Sequence, residues 1–186
     1  SQLCRTMASK QPGIISKVGL KTYIDPRVEG GKMNKKTKKN IVKLLKINGE
    51  EYLFYQSPKP NFAIIRGSFI DEEGYVYMEH EATTREDLSI AQAVHNNGGV
   101  VVCQFKQKKQ SINLNPHLAK IPGFLIDYYV QDLKQKQTYE IFYDKFRSGE
   151  KKLKNPKLSK IPLDIRKVIA RRAALELKKN NVVNLG

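Results

Sequence analysis

The chain has 186 residues, of which 40% are hydrophobic, and this composition supports a packed core in about one domain. It has no apolar run long enough to cross a bilayer and no secretory leader, so we expect a cytoplasmic protein. The formal net charge is +16, but the lysines are dispersed and no helix-turn-helix, zinc-finger or RRM pattern occurs, which disfavours nucleic acid as a partner.

The chain opens with a predicted helix, a strand and a long loop. Residues 1–11 carry apolar side chains at helical spacing, and Pro12-Gly13 ends the helix. Residues 14–18 predict a short strand that leads into the loop at 17–34, KVGLKTYIDPRVEGGKMN. Loops that leave a strand end often carry binding groups, but they also simply connect strands. The residues alone leave both interpretations open.

Turn residues then divide the chain into short strands. Asn48-Gly49 lies between two β-prone runs and predicts a hairpin of residues 42–47 and 51–55. Residues 62–66 form an apolar run, which favours a strand that is buried on both faces. Another short strand is predicted at 75–78.

The next part of the chain alternates helix and strand. Residues 85–96 predict a helix that Asn97-Gly98-Gly99 ends. Strands are predicted at 100–105, a β-branched run typical of central strands, and at 124–130. The predicted buried side of the helix consists of Leu88, Ala91, Val94 and His95. This alternation favours an α/β fold.

The remaining residues divide into a polar segment, a helix and a strand. Residues 132–162 are rich in lysine and are interpreted as a connection between domains, and their aromatic side chains at helical spacing are expected to pack on the body of the protein: Tyr139, Phe142, Tyr143 and Phe146. Asp164 is placed to cap a helix that reaches about Lys179. The predicted buried side of this helix consists of Ile165, Val168, Ile169, Ala173 and Leu177. Residues 182–186 predict a strand.

Six segments match one enzyme family in a fixed order. They are VGLKTYIDPRVEGGKMN at 18–34, NGEEYLFYQS at 48–57, FAIIRGSFIDEEGYVYME at 62–79, SIAQAVHNNGGVVV at 89–102, PLDIRKVIARRAALEL at 162–177 and VVNLG at 182–186. Together they cover nearly the whole chain. In these segments the sequence resembles family I coenzyme A transferases, of the single-chain branch that moves CoA between short acyl groups such as acetoacetate, acetate and propionate.

The resemblance implies a mechanism. In this family a glutamate carboxylate attacks the acyl-CoA thioester, and an enzyme-CoA thioester then forms, which an acceptor carboxylate resolves. That glutamate lies in a Glu-Asn-Gly setting, which these 186 residues do not contain, and Asn48-Gly49-Glu50 has the letters in another order. We therefore expect no catalytic residue in this chain and no catalysis by the chain alone.

The resemblance also implies the domain organisation. We expect an α/β fold with an open sheet and flanking helices, incomplete because the chain matches the middle of a longer enzyme. Residues 1–131 would be the later part of the first domain, and residues 132–162 the connection between domains. Residues 163–186 would be the first helix and strand of a second, similar domain that is truncated here.

The resemblance places the substrate pocket at the loop. The candidates there are Gly19, Leu20, Lys21, Thr22, Asp25, Arg27, Glu29 and Lys32. Relatives often carry glycine or asparagine in place of Lys21, and a lysine there either binds a carboxylate or phosphate or points to solvent. Salt bridges among the charged candidates favour a role in ordering the loop over direct catalysis. Arg171 and Arg172 are candidates for binding CoA phosphate, with a surface ion pair as the alternative.

The sequence predicts no cofactor and no metal. Cys4 and Cys103 lie far apart, and the three histidines have no ligand spacing. By resemblance, acyl-CoA and a short carboxylate are the substrates of the complete enzyme, which we expect to be a homo-oligomer without a membrane partner. Two alternatives stay open for this chain: a remnant without activity, or a basic protein that binds anions or nucleic acid.

Overall fold

The computed structural model describes residues 2–154 and 159–184, which divide into two compact units. Unit 1 ends at Lys151, and unit 2 begins at Lys152. Residues 132–151, the first part of the expected inter-domain connection, therefore belong to unit 1. The domain boundaries themselves stay a prediction.

The first sheet of unit 1 has three antiparallel strands in the order β1-β3-β2. They are β1 (Gly13–Ser16), β2 (Val42–Ile47) and β3 (Glu50–Gln56). The connection between β2 and β3 confirms the predicted hairpin. Asn48 has φ 51° and Gly49 has φ 84°, and positive φ at both central residues is what a two-residue hairpin turn of type I′ requires.

The second sheet has five strands in the order β7-β5-β4-β6-β8. They are β4 (Phe62–Ile70), β5 (Val76–Tyr77), β6 (Val100–Lys108), β7 (Ala119–Ile121) and β8 (Tyr128–Gln131). The strands β4, β6 and β8 run parallel, whereas β5 is antiparallel to both β4 and β7. The mixed sheet with its helices confirms the predicted α/β class.

Two helices complete unit 1. Helix α1 (Gln2–Ala8) packs on β1 and α2, and α2 (Asp87–Asn96) packs on β4 and β6. Short 3₁₀ helices occur at Ser111–Asn113, Pro116–Leu118 and Gly123–Leu125. The main core lies between α2 and the five-stranded sheet and consists of Ala63, Ile65, Ile70, Val76, Ala91, Val94, Val101, Cys103, Phe105, Ile121 and Leu125.

The predicted buried side of α2 is partly wrong. Ala91 and Val94 are buried as expected, but Leu88 and His95 are exposed and Ala93 is buried instead. Helix α2 packs against α1 as well as against the sheet. Because the helix has this second packing partner, its buried face differs from the face that would be buried against the sheet alone.

Strands are present at 62–66 and within 124–130 as predicted, but the predicted burial of the first and the predicted start of the second are wrong. Phe62 is 54% exposed and Ile64 is 72% exposed, so the first half of β4 is buried on one face only. The predicted strand at 124–130 begins only at Tyr128. Before it the chain makes a 3₁₀ turn, in which the Leu125 N–H donates to the Pro122 carbonyl at 3.1 Å.

The aromatic side chains at 139–146 do not form a helical docking face. The described residues between 132 and 151 contain no helix, so helical spacing brings no side chains together there. Tyr139 is almost fully exposed, whereas the Tyr143 ring packs on His80 with centroids 4.5 Å apart. The buried side chains of this segment are instead Gln135 and Gln137.

Unit 2 contains α3 (Ile165–Ala174). The predicted cap is confirmed, because the Asp164 side chain accepts a hydrogen bond from the Lys167 N–H at 2.9 Å. The helix ends before the predicted Lys179, in tighter turns such as that from the Leu177 N–H to the Ala174 carbonyl.

The predicted burial along α3 is wrong in this structure. The helix has no buried residue, and every side chain of its predicted apolar face, Ile165, Val168, Ile169, Ala173 and Leu177, is exposed. The described part of unit 2 contributes no second layer that would cover it. Residues 182–184 form no strand, and the last two residues of the predicted strand lie outside the described ones. No helix in the described ranges combines the length and apolarity needed to span a membrane.

Candidate functional site

The loop of residues 17–34 is folded by consecutive backbone turns. The turn bonds run from the Leu20 N–H to the Lys17 carbonyl (3.2 Å), from Thr22 to Gly19 (3.1 Å), from Asp25 to Thr22 (2.9 Å) and from Val28 to Asp25 (2.9 Å). Each donor pairs with a carbonyl three residues earlier, so the backbone satisfies its own polar groups without regular secondary structure. The loop is thus an ordered element.

Asp25 is the centre of the loop. Its side chain is fully buried, and its carboxylate accepts from the Lys21 N–H at 2.9 Å and from the Arg27 N–H at 3.0 Å. The Arg27 guanidinium adds two bonds, from Nε at 3.0 Å and from Nη2 at 2.8 Å. These bonds hold the pKa of Asp25 well below its usual value, and the hydrogen bonding from the Arg27 side chain contributes most. Asp25 is therefore a charged structural anchor.

Arg27 also joins the loop to the three-stranded sheet. Its Nη1 donates to both carboxylate oxygens of Glu51 on β3, each at 3.0 Å. The hydrogen bonds that Arg27 donates to the Asp25 carboxylate, and then those that it donates to Glu51, raise the pKa of Arg27 above its ordinary value. A second ion pair, between Lys17 and Glu50 at 2.9 Å, lies at the start of the loop. Both charged contacts attach the loop to the hairpin end of β3.

The entrance of the loop requires unusual backbone geometry. Gly19 has φ 93°, and a Cβ there would lie 2.5 Å from the Tyr55 hydroxyl oxygen. That hydroxyl donates to the Val18 carbonyl at 2.5 Å, so glycine permits a close approach of loop and sheet. Lys21 has φ 62°, which non-glycine residues adopt uncommonly. Glycine and asparagine adopt such a positive φ more readily than lysine does.

The eight loop candidates differ in their surroundings. Asp25 is buried, Gly19, Leu20 and Lys32 are partly buried, and the others, Lys21, Thr22, Arg27 and Glu29, are exposed. The structure contains the expected ion pair of Asp25 with Arg27, but among the described residues it contains none for Glu29 or Lys32. Among the eight candidates, one charged pair joins two members of the set, and Lys21 is an exposed cation that forms no ion pair with the described residues.

The two phosphate candidates lie outside unit 1. Arg171 and Arg172 are exposed in the last turn of α3, in unit 2. Arg172 forms an ion pair with Glu176 one turn later, which is the alternative that the sequence left open for it.

A second group of polar residues was not among the candidates that the sequence analysis selected. Glu81 and Arg66 form an ion pair, and with Gln137 they line a cleft of about 540 Å³. These residues come from three separate segments, and no motif or periodicity connects them. Only the folded chain brings them together.

Neither cysteine marks a site. Burial raises the pKa of Cys103 to about 12, which keeps the thiol protonated and unreactive. Within the described ranges, no three side chains of the types that bind metals come together. The site chemistry on this chain is therefore that of an ordered loop with charged side chains.

Comparison with known proteins identifies the family. The profile of the coenzyme A transferase family matches residues 2–132, and the chain belongs to this family. The chain is 45% identical over 187 aligned residues to the caffeate CoA-transferase of Acetobacterium woodii. It is 42% identical to the acetate CoA-transferase YdiF of Escherichia coli O157:H7. These alignments cover 99% and 100% of this chain but only 36% and 35% of the relatives, so the chain spans about a third of their length.

Solved structures support the fold. The crystal structure of the acyl-CoA transferase YdiF from E. coli O157:H7, in a thioester complex with CoA, matches 92% of this chain with a TM-score of 0.84 and 42% identity. That match covers 34% of the YdiF chain. Glutaconate coenzyme A-transferase from Acidaminococcus fermentans shares the fold over 70% of this chain, with a TM-score of 0.55 and 18% identity. The resemblance seen in the six sequence segments is confirmed.

Proposed function

We propose that this chain forms part of an acyl-CoA:carboxylate CoA-transferase that exchanges CoA between a short-chain acyl-CoA and acetate or acetoacetate. The observation that carries the proposal is the 42% identity, over the whole chain, to an enzyme named acetate CoA-transferase. The reaction would pass through a glutamyl-CoA thioester on the enzyme. Its glutamate lies outside these 186 residues, because they contain no Glu-Asn-Gly. Acyl-CoA and a short carboxylate are then the substrates, and the complete enzyme is a homo-oligomer.

In this proposal, residues 1–131 belong to the first domain of the enzyme, residues 132–162 connect the domains, and residues 163–186 open the second domain. The loop of residues 17–34 lines the acyl pocket. The ion pair of its buried Asp25 with Arg27 supports this role, because a pocket needs a wall that keeps its shape when the substrate changes. Lys21 is an exposed cation of the loop that would meet a carboxylate or phosphate, with its backbone held by the bond to Asp25. Arg171 and Arg172 are proposed contacts for CoA phosphate, with the Glu176 pair as the competing partner of Arg172.

Two proteins test this function. The first is the 186-residue chain alone, assayed for CoA transfer from acetyl-CoA to a second short carboxylate; we expect no transfer. The second is E. coli YdiF in which this chain replaces the matching 187 residues. We expect this chimera to transfer CoA, because the missing glutamate would come from the remaining YdiF sequence.

The controls make the outcome decisive. Circular dichroism and gel filtration establish that the chimera is folded, and unmodified YdiF gives the reference rate. Transfer by the chain alone would contradict the expectation that its catalytic group lies elsewhere. If the chimera is folded but transfers no CoA, the proposal that this chain forms part of a CoA-transferase is rejected.

A further inference from the structure

The segment after β8 is held to unit 1 by buried amides. We define the strap as residues 132–144, which contain no helix or strand. Two of its side chains are buried, Gln135 at 4% exposure and Gln137 at 6%. Long polar side chains are rarely buried without hydrogen-bond partners, so these partners show how the strap is attached.

Gln135 attaches to strand β4 and to Glu81. Its Nε2 donates to the Gly67 carbonyl at 2.9 Å and to Glu81 Oε1 at 3.1 Å. The same Glu81 oxygen accepts from the Ser68 hydroxyl at 3.3 Å. The other oxygen, Oε2, accepts from Arg66 Nε at 2.8 Å and also from Arg66 Nη2. Both oxygens of this buried carboxylate are thus occupied by donors.

Gln137 makes the second attachment. Its Nε2 donates to the His80 carbonyl at 2.8 Å, and its Oε1 accepts from the Asp144 N–H at 2.9 Å. The backbone carbonyl of Gln137 accepts from Arg66 Nη2 at 3.0 Å. Arg66 therefore bonds the strap and Glu81 at the same time. Its orientation depends on the carboxylate that neutralises it.

The strap also forms a wall of the cleft. The residues that line the cleft of about 540 Å³ include Arg66, Glu81 and Thr83, which precede the strap in the chain. They also include three consecutive strap residues, Gln137, Thr138 and Tyr139. A strap that moved away would remove this wall. The position of the strap therefore determines whether the cleft exists.

We propose that Glu81 is the latch of the strap: its carboxylate holds Arg66 and Gln135, and through them fixes residues 132–144 as a wall of the cleft. Both oxygens of the Glu81 carboxylate are buried and occupied by donors. A charged acceptor binds such donors more strongly than a neutral one does, so the carboxylate is suited to hold them. In Glu81→Gln one oxygen becomes an NH₂ group, which would face the donors of Arg66 or Gln135. This inference does not depend on the proposed transferase activity.

The test is limited trypsin digestion of the chain, followed by mass spectrometry. The strap carries two exposed lysines, Lys134 and Lys136, so cleavage after them reports how often the strap opens. We expect Glu81→Gln to speed cleavage at both sites by about 10- to 100-fold, which is the range for losing hydrogen bonds to a charged group. The reference site is Lys46 in β2, in the other sheet, where the rate should stay unchanged.

Two further variants make the test decisive. Glu79→Gln makes the same change of charge two residues away, at a side chain with no hydrogen bond or ion pair among the described residues, and should leave strap cleavage at the wild-type rate. Gln135→Leu removes the strap side of the latch and should reproduce the effect of Glu81→Gln. The latch is rejected if trypsin cleaves the strap of Glu81→Gln at the wild-type rate. It is also rejected if cleavage after Lys46 becomes faster by the same factor as cleavage at the strap sites.

Discussion

Substitution of Gly19 by alanine tests the fit of the loop on the three-stranded sheet. Alanine at φ 93° is strained and costs about 1–2 kcal/mol of folding free energy. Its Cβ would also lie 2.5 Å from the Tyr55 hydroxyl oxygen and 3.2 Å from Ile24 Cγ2. Moving the hydroxyl breaks its bond to the Val18 carbonyl, which costs about 1 kcal/mol more. The total loss is therefore about 2–3 kcal/mol.

The assay is thermal unfolding followed by calorimetry and by near-ultraviolet circular dichroism. For a chain of this length, about 2–3 kcal/mol corresponds to a fall in Tm of about 4–12 °C. Gly49→Ala is the matched control, because Gly49 has φ 84° but a Cβ there would meet no atom within 4 Å. Its loss should contain the backbone cost alone, and so be smaller by about 1 kcal/mol.

A double variant separates the clash from the backbone strain. In Gly19→Ala/Tyr55→Phe the hydroxyl that collides with the new Cβ is gone, so the two losses should not add. We expect the double variant to be more stable than the sum predicts by about 1 kcal/mol. Additive losses, within about 0.5 kcal/mol, would refute the contact, as would equal losses for Gly19→Ala and Gly49→Ala.

Two other predictions concern titratable groups. The folded pKa of Asp25 is depressed, so its contribution to stability is present above the unfolded value of about 3.9 and is lost as the pH falls further. Asp25→Asn should therefore unfold at lower temperature than wild type at pH 7, with the difference shrinking below about pH 4; a constant difference would contradict the argument. Cys103 has its pKa raised to about 12 and is fully buried, so iodoacetamide at pH 8 should label Cys4 in the folded chain and Cys103 only after unfolding. Mass spectrometry of the alkylated peptides measures this, and equal labelling rates would refute it.

Several elements could be predicted because their causes are local. Asn48-Gly49 forms the hairpin turn because both residues tolerate positive φ, which depends on no distant residue. Asp164 caps α3 because its side chain reaches an N–H three residues ahead. The family, too, was visible in short segments, among them the loop that contains Asp25.

Burial could not be predicted in the same way. The exposed Ile64 and the buried Ala93 follow from which neighbours pack on β4 and α2, and a periodic pattern does not state them. The helical spacing of the aromatic residues at 139–146 did not predict a common packing face, because the segment is not a helix. Each of these errors arose because the face expected to be buried packs against no other element, or because an element that was not expected packs against it.

The sequence by itself determined the turns, the helix cap and the family, since these depend on residue type and on neighbours a few positions away. Only the tertiary structure decided which faces are buried and which polar groups meet. The network of Glu81 joins Arg66, Gln135 and, through Arg66, the Gln137 carbonyl. These residues are separated by up to 71 positions, and their bonds form only after the strands between them have paired.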